Sequence, residues 1–282
     1  MTAHPYAGKR IVLTSKHEKL KLIKLAFDQY LGCDLFEENL DTDQLGTFSG
    51  EIERNAPPRE TAILKARLGM NSTGLKLGVA SEGSVSPDPV IPFVNSNIEH
   101  LVLVDDENQI VISEVYSSFD ITVATITATP NQDITEFLQS ADFPNHGLIV
   151  RPNAEKKNDC IKGIKDLDSL NSAIALSSKI SADGLVVIES DLRAHFSPSR
   201  QKNIAIVAKQ LALRASRLCP SCQMPGWGRS GYEKGLKCST CKLENPDAIR
   251  QAKISCDCCN HTQLGQILAK ELDPANCQFC NP

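Results

Sequence analysis

Four cysteine pairs punctuate the last quarter of the chain: Cys219-Pro-Ser-Cys222, Cys238-Ser-Thr-Cys241, Cys256-Asp-Cys258-Cys259 and Cys277-Gln-Phe-Cys280. The gaps between successive pairs are 15, 14 and 17 residues. A Cys-x-x-Cys knuckle bends the backbone so that two thiolates face one ion, and two knuckles complete a tetrahedron. Eight sulfurs in this spacing predict two structural zinc ions with four thiolates each. Taken in chain order, Cys219, Cys222, Cys238 and Cys241 hold one ion, and Cys256, Cys259, Cys277 and Cys280 hold the other. Pairing of alternate knuckles, as in cross-braced domains, is the second solution that the spacing allows. Cys258 is a spare thiol beside the third knuckle, able to stand in for a neighbour.

The tail from residue 217 to 282 is similar to tandem four-cysteine zinc ribbons. Such a short segment with few aromatic residues gains little from a core of its own. Zinc binding on the order of 10–16 kcal/mol then holds it folded. A catalytic zinc would keep an open position and use His or carboxylate ligands, which argues for a structural role; an iron–sulfur cluster is the minor alternative. Trp227, the only tryptophan, either packs over the first metal site or stacks on a nucleic-acid base, with Arg229, Lys234 and Lys237 as flanking cations.

Working outward, the 282 residues suffice for one large domain or two ordinary ones. Residues 1–216 read as a separate α/β domain ahead of the tail. The net charge of -4 argues against a constitutively basic nucleic-acid coat protein. No apolar run is long enough for a transmembrane span, and Met1–Arg10 has no signal-peptide core. The expectation is a cytoplasmic protein without membrane contact, its thiols reduced. Nine of the eleven cysteines lie beyond residue 218; Cys33 and Cys160 read as buried small hydrophobes.

Within residues 1–216, Arg10–Thr14 reads as a buried strand and Ser15–Glu18 as a capping box opening a helix that Gly32 ends. Lys19 falls one turn into that helix, beside N–H groups that suit an anion. Asp34–Leu40 is a second strand and Asp41–Asn55 a loop containing Gly46 and Gly50. Pro57-Pro58 open a helix over Arg59–Met70. Leu75–Ala80 is a strand, and Ser81-Glu82-Gly83-Ser84 a turn at its C-terminal end, the edge where open α/β sheets bind ligands. His100–Val104 and Gln109–Ser113 form a hairpin. Ile121–Thr127 and Gly147–Arg151 are strands, Asp133–Ser140 and Asp166–Lys179 helices. Gly184–Ile188 is a buried strand that runs into Asp191–Arg200, where Arg193, His195 and Arg200 gather ahead of a helix over Ser199–Arg217. That cluster is an anion-binding layout with His195 as acid or base; helix capping with solvated arginines is the plain alternative. His146 is a further candidate for the same cleft.

The order Thr14-Ser15-Lys16-x-x-Lys19, then Glu60-Thr61-Ala62-x-x-Lys65-Ala66-Arg67, then Gly78-Val79-Ala80-Ser81-Glu82-Gly83-Ser84 resembles the inosine/xanthosine triphosphatase family over about the first 90 residues. The resemblance implies an α/β, inosine-triphosphatase-like mixed sheet. It implies a phosphate lysine at Lys19, a metal-binding Glu60 and an acidic turn at Glu82-Gly83. The family's base-recognition Ser-His-Arg maps loosely onto His195–Arg200. The whole chain, tail included, is also similar to an uncharacterised bacterial family without assigned activity.

Cleaving a nucleoside triphosphate needs Mg²⁺ on the phosphates, carboxylates for the ion and cations for developing charge. Glu60 and Glu82 are the candidate magnesium ligands. Glu60, Glu82, Lys19 and His195 form the candidate catalytic set, and Ser15, Arg67, Arg193 and Arg200 the candidate nucleotide-binding set. Glu60 near a helix N-terminus and Arg67 seven residues on also fit plain surface charges. The leading expectation is a zinc protein that binds a nucleotide or other phosphate-bearing small molecule, as a hydrolase releasing pyrophosphate. The competing one is a non-enzymatic module whose ribbon engages nucleic acid or protein, with the α/β part as scaffold.

Overall fold

The computed structural model describes residues 4–42, 44, 56–153 and 159–282. The glycines expected in the Asp41–Asn55 loop, Gly46 and Gly50, lie outside the described residues. The fold is mixed α/β with three sheets. The first has the order β2-β1-β3-β4-β5, built from β1 (Arg10–Thr14), β2 (Asp34–Glu38), β3 (Leu77–Pro87), β4 (Asn95–Asp105) and β5 (Ile110–Ser118). Strands β1, β2 and β3 are parallel, and β3, β4 and β5 are antiparallel. Helix α1 (Leu20–Leu31) and helix α5 (Pro198–Ala215) cover one face. Their buried residues Ile23, Phe27, Ile204, Val207 and Leu211 share one core with Ile11, Leu13, Leu101 and Leu103. Helix α2 (Pro58–Thr73) covers the other face through Ala62, Ala66 and Met70, against Val12, Ala80 and Val102. The alternation along β1 and β4 supplies both cores, as period-two strands buried on two faces must.

The second sheet has the order β6-β9-β7-β8, with β6 (Thr125–Ala128), β7 (Leu148–Pro152), β8 (Ile161–Ile164) and β9 (Val186–Ser190) all antiparallel. Helices α3 (Thr135–Ser140) and α4 (Leu167–Ile180) frame its core of Phe137, Leu148, Val150, Leu170, Ile174 and Ile188. Strand β8 was not anticipated: four residues broken by Gly163 carry no periodic signal.

Two expectations at the start of the chain fail for a common reason. Ser15 does not cap α1. The Ser15 amide instead donates to Glu38 O, its hydroxyl accepts from the His17 amide, and Glu18 takes φ +51°. The helix begins at Leu20 with Lys19 as its N-cap, not one turn in, and Glu37 of β2 accepts from the Lys19 amide. A carboxylate from the neighbouring strand thus takes the amide of the N-cap residue itself, no side-chain cap serves the first turn among the described residues, and residues 15–19 become a loop. Ser81–Ser84 is likewise not a turn, because β3 pairs with β4 residue by residue from Leu77 to Pro87. Gly83 serves a close approach instead: a Cβ there would overlap the Arg200 guanidinium and the Glu99 carboxylate.

The third sheet, β10-β11-β12, is the C-terminal ribbon: β10 (Gly228–Lys237), β11 (Glu244–Ser255) and β12 (Thr262–Ile267), antiparallel throughout. No helix among the described residues is long and apolar enough to cross a membrane.

Candidate functional site

The ribbon decides how the cysteines pair, and corrects the assignment in chain order. The clusters are Cys219, Cys222, Cys256 and Cys259, and Cys238, Cys241, Cys277 and Cys280. The first and second knuckles flank β10, whose ten residues at about 3.3 Å each set them roughly 30 Å apart. Strand β11 returns the chain, so the third knuckle meets the first and the fourth meets the second. Alternate pairing follows from an antiparallel hairpin lying between the sites.

Sulfur separations are 3.8 Å for Cys219–Cys259, 3.6 Å for Cys222–Cys256, 3.8 Å for Cys238–Cys280 and 3.7 Å for Cys241–Cys277. A tetrahedron with Zn–S bonds of about 2.3 Å has edges of about 3.8 Å, so both cages fit zinc. Amides of Ser221, Thr240 and Cys258 donate to Cys219, Cys238 and Cys256 sulfurs. Burial works to raise the Cys277 thiol, but the Asn245 amide and the N–H groups of Phe279 and Cys280 outweigh it and bring it to about 6, favouring the thiolate. Cys258 is exposed and outside both cages. Trp227 stacks on His261, two residues past the third knuckle, with centroids 5.4 Å apart.

The first cage is joined to the α/β body. Arg214 of α5 donates to the carbonyls of Gly226, Arg229 and Ser113 and ion-pairs with Glu114 and with Asp257 inside the third knuckle. Met224 packs on the body's core.

A second site lies on the first sheet, where Thr14, Ser15, Lys16, His17, Lys19, Thr42, Lys65, Ser81, Glu82, Gly83 and Arg200 line one cleft. Lys65 Nζ is 2.6 Å from Glu82 Oε2. Beneath them the buried Arg200 reaches Glu99 at 2.6 and 3.2 Å, and Asn97 donates to the same carboxylate. Burial alone would raise Glu99, but Arg200, and then Lys19, hold it below the usual carboxylate range. Lys19 differs: Nζ donates to Ser81 Oγ at 2.9 Å, and among the described residues it has no carboxylate within ion-pair distance. Burial, with Arg200 next, lowers Lys19 to about 8. Burial and then Lys19 push His17 down to about 3, so it is neutral. The cleft therefore presents Lys16, Lys19, Lys65 and Arg200 around Glu82, the one lining acid among the described residues.

Of the candidates named from sequence, Ser15, Lys19, Glu82 and Arg200 converge here. His195 stacks on His17 with centroids 5.1 Å apart, one layer back, and burial followed by Arg193 lowers it below its usual value. Arg193 pairs with Asp191 and lines an adjoining cavity of about 290 Å³ that also takes in Val85, Glu189 and Leu192. Arg200 links cleft and cavity by donating to Leu192 O. Glu60 and Arg67 do not converge: Glu60 is half-exposed beside Arg59, and Arg67 pairs with Asp106. Glu60, the other candidate magnesium ligand, is not among the residues that line the cleft with Glu82, and Glu82 is ion-paired with Lys65. His146 is also absent from the cleft; it is buried between Asp142 and Ser199 at the start of α5.

Lys65, Glu99 and His17 were missed. The buried stripe of α2, Ala62, Ala66, Gly69 and Met70, puts Lys65 on the inner face and Arg67, two residues on, on the opposite one. Glu99 shares the inward register of Leu101 and Leu103, a place where an acid needs a cation. His17 carries no such signal.

Fold and sites define a mixed α/β protein bearing a cross-braced pair of four-thiolate metal centres. The chain belongs to a family described as a domain of unknown function, DUF6671, whose model matches residues 65–282. No curated protein matches it.

Proposed function

We propose that the cleft binds the phosphates of a nucleotide, and that the protein hydrolyses a nucleoside triphosphate to monophosphate and pyrophosphate. The body, residues 1–216, is read as inosine-triphosphatase-like, and residues 217–282 as its zinc-bearing appendage. The observation that carries this reading is the convergence of Lys19, Lys65 and Arg200 on one cleft, with no carboxylate at ion-pair distance from Lys19 among the described residues. In this reading Lys19 and Lys65 neutralise phosphate oxygens, and Arg200 steadies them from below. On the same reading Glu82 accepts a proton from the attacking water, and the cavity beside Arg193 takes the nucleoside. Magnesium in this reading arrives on the nucleotide.

The test uses the full zinc-loaded chain with inorganic phosphate, pyrophosphate and a panel of nucleoside triphosphates with Mg²⁺. Calorimetry should show binding that Lys19→Met weakens at least about tenfold, or 1.4 kcal/mol. Pyrophosphate release should vanish in Glu82→Gln and persist in Glu60→Gln. Binding without release from any nucleotide removes the hydrolase; absence of phosphate binding removes the whole reading.

A second reading, a ribbon that engages nucleic acid or protein, is favoured by the exposure of Tyr232, Leu264 and Ile267 and by Arg229 over the Tyr232 ring. Salt-dependent binding of single-stranded nucleic acid that Tyr232→Ala weakens would support it.

A further inference from the structure

The second sheet buries one face and turns the other toward a cavity. Alternation along β7 and β9 sends Leu148, Val150 and Ile188 into the core with α3 and α4. Ile149 and Glu189 therefore stand on the opposite face, in register with one another, and Glu189 is in register with Thr125 of β6. All three line the cavity of about 290 Å³ beside Arg193, whose other walls include the apolar Val85, Val123 and Leu192. That volume sits at the small end of the roughly 300–1,000 Å³ of ligand pockets, a size that suits one base.

An acid half-buried in such a place needs a partner, and Glu189 has only part of one. Arg151 Nη2 approaches Glu189 Oε2 to 3.5 Å, an ion pair without a hydrogen bond, although the two side chains are only 13% and 25% exposed. Arg151 Nε is buried with no partner among the described residues. Both Glu189 oxygens are thus left without an N–H or O–H donor among the described residues. Arg193 is in the complementary state. Its Nε and Nη2 are taken up by Asp191, and Nη1 has no hydrogen-bond partner among the described residues. The lining residues offer two acceptors on one carboxylate and one spare donor, between apolar walls.

A base that matches this set carries two adjacent donors beside an acceptor. Guanine does, with N1–H and the 2-amino group side by side and O6 next to them. Hypoxanthine lacks the 2-amino group, xanthine has an oxygen in its place, and adenine has an acceptor at N1. We propose that the cavity selects guanine, so that the nucleotide held by the protein is a guanosine phosphate. The Glu189 carboxylate accepts from N1–H and the 2-amino group, and Arg193 donates to O6, a pairing that arginine makes readily with guanine. Guanine selection presupposes that the cleft holds the phosphates. Arg200 joins the two spaces, lining the cleft and donating to the carbonyl of Leu192 in the cavity wall.

The test titrates the full zinc-loaded chain by calorimetry with inorganic pyrophosphate and with the α,β-methylene analogues of guanosine, inosine, xanthosine and adenosine triphosphate, each with Mg²⁺. The guanosine analogue should bind at least about tenfold more tightly than the inosine analogue, which lacks only the 2-amino group. In Glu189→Gln, which keeps the shape but replaces one acceptor by a donor, that ratio should fall to about one. The comparison on the unaltered chain stands even where the variant fails to fold. Inosine or xanthosine analogues that bind the unaltered chain as tightly as the guanosine analogue overturn guanine selection and leave the phosphate cleft intact. So does a preference for guanosine that survives Glu189→Gln. If neither pyrophosphate nor any analogue binds, the phosphate cleft itself falls, and guanine selection with it.

Discussion

In the ribbon, all eight ligands come from one 62-residue stretch, Cys219 to Cys280, and few side chains are fully buried around them. In the cleft, Lys19, Lys65, Glu82, Glu99 and Arg200 span most of the chain and meet only because β1, β3, β4, α2 and α5 pack into one body. The first region gathers its order around two clusters able to hold a metal ion, the second around the cores on both sides of the first sheet. The difference predicts that the two can be dismantled separately.

The largest expected effect is on metal. Chelation should remove on the order of 10–16 kcal/mol per ion from the ribbon, and hydrogen exchange should then collapse over 228–267 while 10–14 and 77–105 stay protected. Loss of protection across both regions would show that the body depends on the metal too. Zinc counting sharpens the pairing. The double variant Cys222→Ser/Cys256→Ser should lose one equivalent, and Cys222→Ser/Cys238→Ser should lose two; pairing in chain order gives the opposite result.

Next comes the buried pair. Glu99→Gln removes the Glu99 charge from its buried pair with Arg200 and should cost about 3–5 kcal/mol, read as a lowered urea midpoint with zinc content unchanged. Gly83→Ala pushes a methyl group into the same pair and should cost about 1–3 kcal/mol. The smallest effect is on pH. Phosphate affinity should hold below about pH 7 and fall as Lys19 loses its proton near 8, and Lys19→Met should flatten that profile. For folding the sign is opposite: Lys19 titrates near 10.5 when unfolded and about 8 when folded. Between those values the unfolded chain holds more protons, so this residue's contribution to stability rises with pH.

What was legible followed the same divide. Cysteine spacing announced metal sites because both thiolates of a knuckle are local. The partner of each knuckle was not legible, since it depends on which way β10 and β11 run. Most helices and strands were readable from periodicity. In the cleft, Lys19, Glu82 and Arg200 could be singled out by type, but the acid named beside Glu82 was Glu60, through the family resemblance, and Glu99 was not named. Nothing in a helix N-terminus distinguishes a ligand from a surface acid, whereas the inward register of β4 does. Ser15 reads as a cap because nothing local to it shows the positive φ of Glu18, or that Glu37 on a different strand takes the Lys19 amide.

Arg214 gives the two metal cages unequal duties. It bolts the cage of Cys219, Cys222, Cys256 and Cys259 to α5 and β5 through Asp257, Gly226, Arg229 and Glu114. Around the other cage, the contacts described run from ribbon to ribbon, as in Lys242–Glu271 and Ser239–Leu272. Emptying the near cage would unmoor the whole appendage, whereas emptying the far one would only fray its tip.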